Sequence, residues 1–416
     1  MSATSSLFYF SMMGIFLLEG WFFSVALPFH RAVNEAEAQA SRQLPLDGLR
    51  GVLAFSIFFC HACGYYFYLR TGVWALLPSN FGQQMAVFPV TMFFFITGYL
   101  FWTKLMRGRP EKTGAFWLGR LARLGPAYWA SCVLLFICAA VASDFNRRVP
   151  MASLAGQLFS WMTFRAGKDI NGVVGSNLWL GVAWTLRFEW LFYLSIPFLA
   201  WFARRRWRTL MLLATVFILS RGTAPFAIEG TGLPAPVVIL AKYVQYFATI
   251  FSIGILVAIL PKKRFARWAQ GTAATLLSLS ILGFAVYRAT PEYGLSESAV
   301  LAIPFSCVCL GNTWFGLLSS RGLRFLGRIS YSFYLFHVLV LTIILNSLGA
   351  RIGLASLSPI LYWAIAAGCG TATILLSAFT YEYFEAPFLH VRRQRLEKEA
   401  TPTFESNAIV PMTEIN

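Results

Sequence analysis

LRGVLAFSIFFCHACGYYFYL, residues 49–69, is an apolar run that carries a guanidinium near its start, Arg50, and an imidazole near its middle, His61. Its length matches the roughly 20 residues an α-helix needs to cross a bilayer. A helix turns about 100° and rises about 1.5 Å per residue, so a separation of eleven residues returns the two side chains to within roughly 20° of one face, about 16 Å apart along the axis. One lies at the membrane edge and the other near its centre. An ionisable group that deep is costly, and by default it marks a functional site with a partner or a water-filled cavity.

Composition agrees with that reading. Hydrophobic residues make up 58% of the 416 and charged residues 12%, too few polar groups to cover a soluble domain. The fold class this predicts is an all-α membrane protein. The formal net charge of +17 would suggest nucleic acid in a soluble protein. Here the basic residues gather in short connections between apolar runs, where positive charge sets orientation, so nucleic acid is not needed to explain them. Seven cysteines, mostly inside apolar runs, argue for small buried packing groups rather than a disulfide framework. Cys60 and Cys63 bracket His61 in the string CHAC, but a structural zinc needs four ligands, and no metal is expected.

Apolar stretches occur at 49–69, 85–104, 127–142, 179–203, 236–260, 299–318, 329–348 and 358–381, with shorter runs at 208–220 and 271–287. A run at 152–164 is too short to span and reads as interfacial or re-entrant. Basic clusters at 104–123, Arg204 to Arg208, Lys262 to Arg267, Arg321 to Arg328 and Arg392 to Lys398 all fall on one side only if 152–164 does not cross. The expectation is a bundle of about ten transmembrane helices, cytoplasmic at Arg50 and at the tail. Residues 7–29 form a further apolar run interrupted by Glu19. As a cleaved signal it would leave residue 30 outside, against the charge pattern, whereas an extra helix with an outside N-terminus fits. The expected organisation is an N-terminal apolar helix and polar linker at 1–45, a membrane domain at 46–390 and a polar cytoplasmic tail at 391–416.

Depth along these runs places the chemistry. His61, Glu189 and His337 share the central slab of the membrane. Ser330, Tyr334 and His337, at spacings of seven and three, fall on one helical face that could line a polar cavity. Glu382 and Glu385, three apart, would face one way near the end of the last run. Arg120 and Arg123 sit in the connection after the second span, either as orientation charges or as a clamp for an anion, since guanidinium groups bind phosphate in bidentate fashion. A lone intramembrane Glu189 or His337 has an equally simple reading as a packing contact to another helix. His61 is different, because a neutral imidazole takes or gives a proton near neutral pH without large tuning, and it shares a face with Arg50.

LDGLRG at 46–51 followed by His61, FFFITGYL at 93–100, RLARLGPAYW at 120–129, WTLRFEW at 184–190, GRISYSFYLFH at 327–337 and YEYFEAPF at 381–388 resemble, in order, the motifs of the acyltransferase-3 family of integral membrane O-acyltransferases. The resemblance covers roughly residues 45–390. It implies a ten-span bundle that takes an acyl group, usually acetyl from acetyl-CoA, and places it on a carbohydrate hydroxyl. By that resemblance Arg50 and His61 are the family's Arg-to-His pair, Arg120 and Arg123 its paired arginines and Glu189 its carboxylate. The hydrolase-like domain often appended in the family has no counterpart here, so any second half of a relay is expected either in another protein, such as one of a polysaccharide-assembly machine, or to be unnecessary.

A mechanism follows from depth and resemblance together. The phosphates of cytoplasmic acetyl-CoA or another acyl-CoA, a donor substrate rather than a bound cofactor, would meet Arg120, Arg123 and Arg50. His61 would act as general base or as acyl relay, with Glu189 holding its tautomer or binding the acceptor. His337, Ser330, Tyr334 and Glu385 would complete the cavity. The expected partners are acyl-CoA, a carbohydrate acceptor and the lipid bilayer, and the expected location is the cytoplasmic membrane if the source is bacterial. The rival readings are a carrier or flippase of a lipid-linked sugar or anion, using the same charges without covalent chemistry, and a non-catalytic scaffold.

Overall fold

A computed structural model of the chain describes residues 4–26, 44–108, 113–165, 168–221, 235–288 and 295–387. Among them the regular structure is helical, with no strand beyond one isolated bridge between Ile170 and Val173. The helices are α1 (Ser6–Ala26), α2 (Leu44–Thr71), α3 (Asn80–Met106), α4 (Thr113–Ala142), α5 (Met151–Met162), α6 (Trp184–Ala203) and α7 (Arg206–Arg221). The second half of the chain adds α8 (Ala235–Ala258), α9 (Lys262–Ala269), α10 (Thr272–Arg288), α11 (Leu295–Cys309), α12 (Arg321–Arg328), α13 (Ser330–Ile352) and α14 (Pro359–Thr380).

Six helical segments are long and apolar enough to cross a membrane: α1, α2, α3, α4, residues 330–349 of α13, and α14 with the turn that follows it. A seventh arises if Gln245–Ala258 and Lys262–Ala269, bent by 95° at their junction, form one broken span. The protein is thus an integral multi-pass membrane protein. The remaining runs fall short by length or by charge. α6 carries Arg187 and Glu189 within its first two turns, and α10 and α11 have 17 and 15 residues.

Three boundaries differ from the sequence expectation. The run at 299–318 is not one helix: α11 stops at Cys309, and the chain turns through Gly311, Trp314, Phe315 and Gly316, all at positive φ. The run at 179–203 begins with two short 3₁₀ turns, Ser176–Leu178 and Gly181–Ala183, before α6 starts. The run at 127–142 belongs to a 30-residue helix, so Arg120 and Arg123 sit inside α4 rather than in a connection. The tail at 391–416 and most of the polar linker lie outside the described residues.

α2 is the hub of the bundle, packed against α3, α12 and α13, while α3 also packs on α8 and α13 on α14. The α2–α12 crossing depends on glycine at both faces. A Cβ on Gly51 would sit 2.5 Å from the Leu323 carbonyl oxygen, and one on Gly327 would sit 1.8 Å from that of Asp47, while one on Gly48 would sit 1.8 Å from the carbonyl oxygen of Leu318 in the 3₁₀ turn Leu317–Ser319 just before α12. Small residues that admit backbone-to-backbone approach are the usual device for helix association in lipid, where apolar contact alone gives no preference for helix over hydrocarbon. α1 is seated in this assembly. Phe16 is fully buried, the Tyr9 and Ser56 hydroxyls lie 2.9 Å apart, and the Thr371 hydroxyl of α14 donates to the Glu19 carboxylate.

Candidate active site

Five helices, α2, α3, α4, α6 and α13, enclose a cavity of about 280 Å³. Four of its lining side chains are cationic, Arg50, Lys104, Arg120 and Arg123, and one is acidic, Glu189. Tyr193, Tyr331, Tyr334, Ser330, Thr97 and Thr185 add hydroxyls, and Phe93, Phe94, Ile96, Leu100 and Phe101 supply apolar wall. Such a lining suits a ligand that is anionic at one part and apolar at another.

Most of these polar groups are held by their own element or a neighbour. Arg120 and Arg123 are one helical turn apart on α4, so both reach the same space, and the Arg120 guanidinium lies over the Phe101 ring at 5.2 Å. Trp117, on the same helix, donates its indole N–H to the Tyr193 carbonyl at 3.1 Å and ties α4 to α6. The Tyr193 hydroxyl donates to Glu189 Oε1, one turn earlier on α6. Tyr331 donates to the Leu124 carbonyl at 2.7 Å. Tyr334 donates to the Val182 carbonyl at 2.6 Å, with the Thr185 hydroxyl 3.0 Å away. Arg50 forms an ion pair with Asp47, one turn back on α2, at 3.9 Å.

The residues singled out from sequence divide into two groups. Arg50, Arg120, Arg123, Glu189, Ser330 and Tyr334 meet around the cavity. His61 and His337 do not line it; they meet each other, His337 Nε2 lying 3.1 Å from His61 Nδ1. Tyr334 stands between the two groups, lining the cavity while its ring centroid lies 6.0 Å from that of His337. His61 packs nearly parallel to the Trp74 indole, with centroids 6.3 Å apart.

Glu385 does not line the cavity either, although two of the cavity cations, Arg123 and Arg50, act on it electrostatically. It is buried and accepts a hydrogen bond from the Ser332 hydroxyl of α13. Residues Tyr381–Glu385 form a π-helical turn, whose larger number of residues per turn breaks the three-residue rule, so Glu382 and Glu385 do not share a face as an α-helix would place them. Sequence reasoning missed Tyr193, Tyr331 and Thr185 and took Lys104 only as an orientation charge. The four-residue interval from Glu189 to Tyr193 was a readable signal, since such pairs meet on a helix surface.

A multi-pass helical bundle with a cation-lined internal cavity and a histidine pair behind it is the general class these features define. Residues 44–382 match the family described as an acyltransferase domain, acyltransferase-3, and the chain belongs to that family. It is a membrane acyltransferase. The chain is 27% identical over 311 residues to the exopolysaccharide production protein ExoZ of Rhizobium meliloti (strain 1021), a match covering 74% of this chain and 90% of that protein. It is 27% identical over 391 residues to YrhL of Bacillus subtilis (strain 168), named for peptidoglycan O-acetyltransferase activity. That match covers 84% of this chain and 56% of YrhL, so the chain spans little more than half of that relative. No solved structure gives a significant match.

Proposed function

We propose that the protein transfers an acyl group, acetyl in the first instance, from cytoplasmic acyl-CoA to a hydroxyl of a cell-envelope or exported carbohydrate, in a cytoplasmic membrane. The observation that carries this reading is the cavity with Arg50, Lys104, Arg120 and Arg123 around one carboxylate, located at the Arg50 end of the helix that bears His61. Family membership and the printed names of the two relatives support the reaction class. On this reading α2, α3, α4, α6, α7, α8, α10, α11, α13 and α14 are the ten crossing helices and α1 is an eleventh. That arrangement gathers the basic clusters on the cytoplasmic side.

The phosphates of the donor pair with the arginines and the pantetheine arm runs past Tyr334 toward His61. The His61 imidazole removes the proton from the acceptor hydroxyl as its oxygen attacks the thioester carbonyl. The C–S bond breaks, and the departing thiolate takes the proton back from the imidazolium, giving ester and free CoA. Glu189, held by Tyr193, orients the acceptor hydroxyls or the donor amides at the cavity wall.

Purified protein in lipid, supplied with radiolabelled acetyl-CoA and an envelope carbohydrate extract, tests the reading through release of free CoA matched by new O-acetyl groups. Movement of a lipid-linked sugar with no CoA released would transfer the proposal to the carrier reading. The arginines give a sharper check. A charge-assisted hydrogen bond is worth about 1.5–3 kcal/mol, and about 1.4 kcal/mol is tenfold in affinity. Arg120→Ala or Arg123→Ala should therefore weaken acyl-CoA binding by roughly tenfold or more, measured by calorimetry, with kcat changed less than KM. Lysine at either position should restore part of the loss. Unaltered binding in both alanine variants would remove the phosphates from this cavity.

A further inference from the structure

The two histidines form a hydrogen-bond chain with a direction. His337 Nδ1 lies 2.8 Å from the Tyr334 carbonyl oxygen and 3.1 Å from that of Phe333. Carbonyl oxygens only accept, so this nitrogen carries the proton, and in the neutral ring Nε2 keeps its lone pair. That Nε2 faces His61 Nδ1 at 3.1 Å. Two lone pairs do not face each other at that distance, so His61 Nδ1 holds a proton as well. The Ile57 carbonyl, 2.9 Å from the same nitrogen, makes the same demand. Both neighbours of His61 Nδ1 are acceptors, which leaves the lone pair of the neutral imidazole on Nε2.

The surroundings hold this arrangement. His337 has no exposed surface. Its ring stacks on Phe333 at 6.1 Å with planes 6° apart, and Phe58 lies 6.5 Å away on the α2 side. The two imidazoles meet edge to face, with centroids 4.9 Å apart. The Ile57 carbonyl lies one turn back in α2 and is the acceptor of the helix amide bond at His61, so it offers the ring a shared oxygen. His337 offers an undivided one, from a helix whose position is set separately.

We infer that His337 is a positioning residue: it fixes His61 in the Nδ1–H tautomer and in one ring orientation, and thereby reserves His61 Nε2 for chemistry. The kinetic part of this inference rests on the acyltransferase reading; the tautomer part does not. It corresponds in logic to the buried carboxylate of a serine-hydrolase triad, with a neutral imidazole as the acceptor. A neutral acceptor suits a site inside the membrane, where a second charge would need its own partner.

The test is ¹⁵N NMR of the full chain in lipid nanodiscs with ring-labelled histidine. The chain has four histidines, His30, His61, His337 and His390, so substitution of two assigns the pair. Both His61 and His337 should show a protonated Nδ1 and a bare Nε2. In His337→Phe the His61 signals should move to a mixture of tautomers, and kcat should fall on the order of 10²-fold with KM for acyl-CoA unchanged. His337→Gln, whose amide oxygen can accept from His61, should recover most of that loss. A His61 ring protonated at Nε2 in the wild type would overturn the inference, as would a His337→Phe protein with unchanged His61 signals and full turnover. If the phenylalanine protein does not fold, the wild-type spectrum alone decides. The predicted tautomers without acyl transfer to any acceptor would retire the proposed function and leave the tautomer assignment standing.

Discussion

If His61 is the general base of the proposed reaction, His61→Ala should lower acyl transfer by on the order of 10³-fold and leave acyl-CoA binding where it was. The size follows from what the ring is asked to do. A positioned general base contributes about 10²–10⁴-fold, and the other imidazole within reach, His337, is buried with its own Nδ1 committed to backbone carbonyls. The separation of effects follows from geometry, because the cations assigned to the phosphates line a cavity that His61 does not. Calorimetric titration of the variant with acyl-CoA and a single-turnover assay of ester formation check the two halves. Equal turnover in a well-folded His61→Ala protein would sink the proposed chemistry, and parallel loss of donor binding would mean that the cavity and the histidine are one site.

Gly327→Ala, together with Gly48→Ala, should have the largest effect on stability among single methyl additions. The Cβ added at Gly327 would lie 1.8 Å from the Asp47 carbonyl oxygen, a backbone atom in the first turn of α2 that no rotamer change can move aside. Overpacking typically costs about 1–3 kcal/mol, and the large tail belongs to sites that cannot relax. The variant should lose most of its monodisperse fraction in mild detergent, and the fraction that folds should bind acyl-CoA poorly, because Arg50 sits one turn beyond Asp47. Gly14→Ala is the internal control. Nothing lies within 4 Å of its added methyl, and alanine favours the helix over glycine by about 1 kcal/mol. Equal thermal stability of the two proteins would refute the close α2–α12 crossing.

The parts of this structure legible in the sequence are those governed by helical periodicity and by the cost of charge in lipid. Arg50 and His61 do sit eleven residues apart along one helix, and Arg120 and Arg123 do reach one space. The Ser330, Tyr334 and His337 stripe shows where that logic stops. Seven residues of helix extend about 10 Å, far enough for one face to pass from a cavity to a neighbouring helix. Ser330 and Tyr334 line the cavity, and His337 packs on α2. Periodicity reports the face but not what lies opposite it. The break after Cys309 was hidden for another reason. Trp314 and Phe315 take positive φ, a conformation for which neither residue type advertises a preference. The π turn at Tyr381–Glu385 likewise has no compositional mark.

The contact between α1 and α14 has a consequence for biogenesis. Glu19 is joined to Thr371 across 352 positions of chain, so the carboxylate reaches the translocation machinery long before its partner exists. At a synthesis rate of about 5–20 residues per second, that interval is roughly 20–70 s. A free carboxylate drawn toward the bilayer centre is unfavourable by up to about 2.5–3.5 kcal/mol on insertion scales, which favours α1 staying near the lipid headgroups through that interval. The junction between Glu19 and Thr371 therefore closes late, only after synthesis has passed α14.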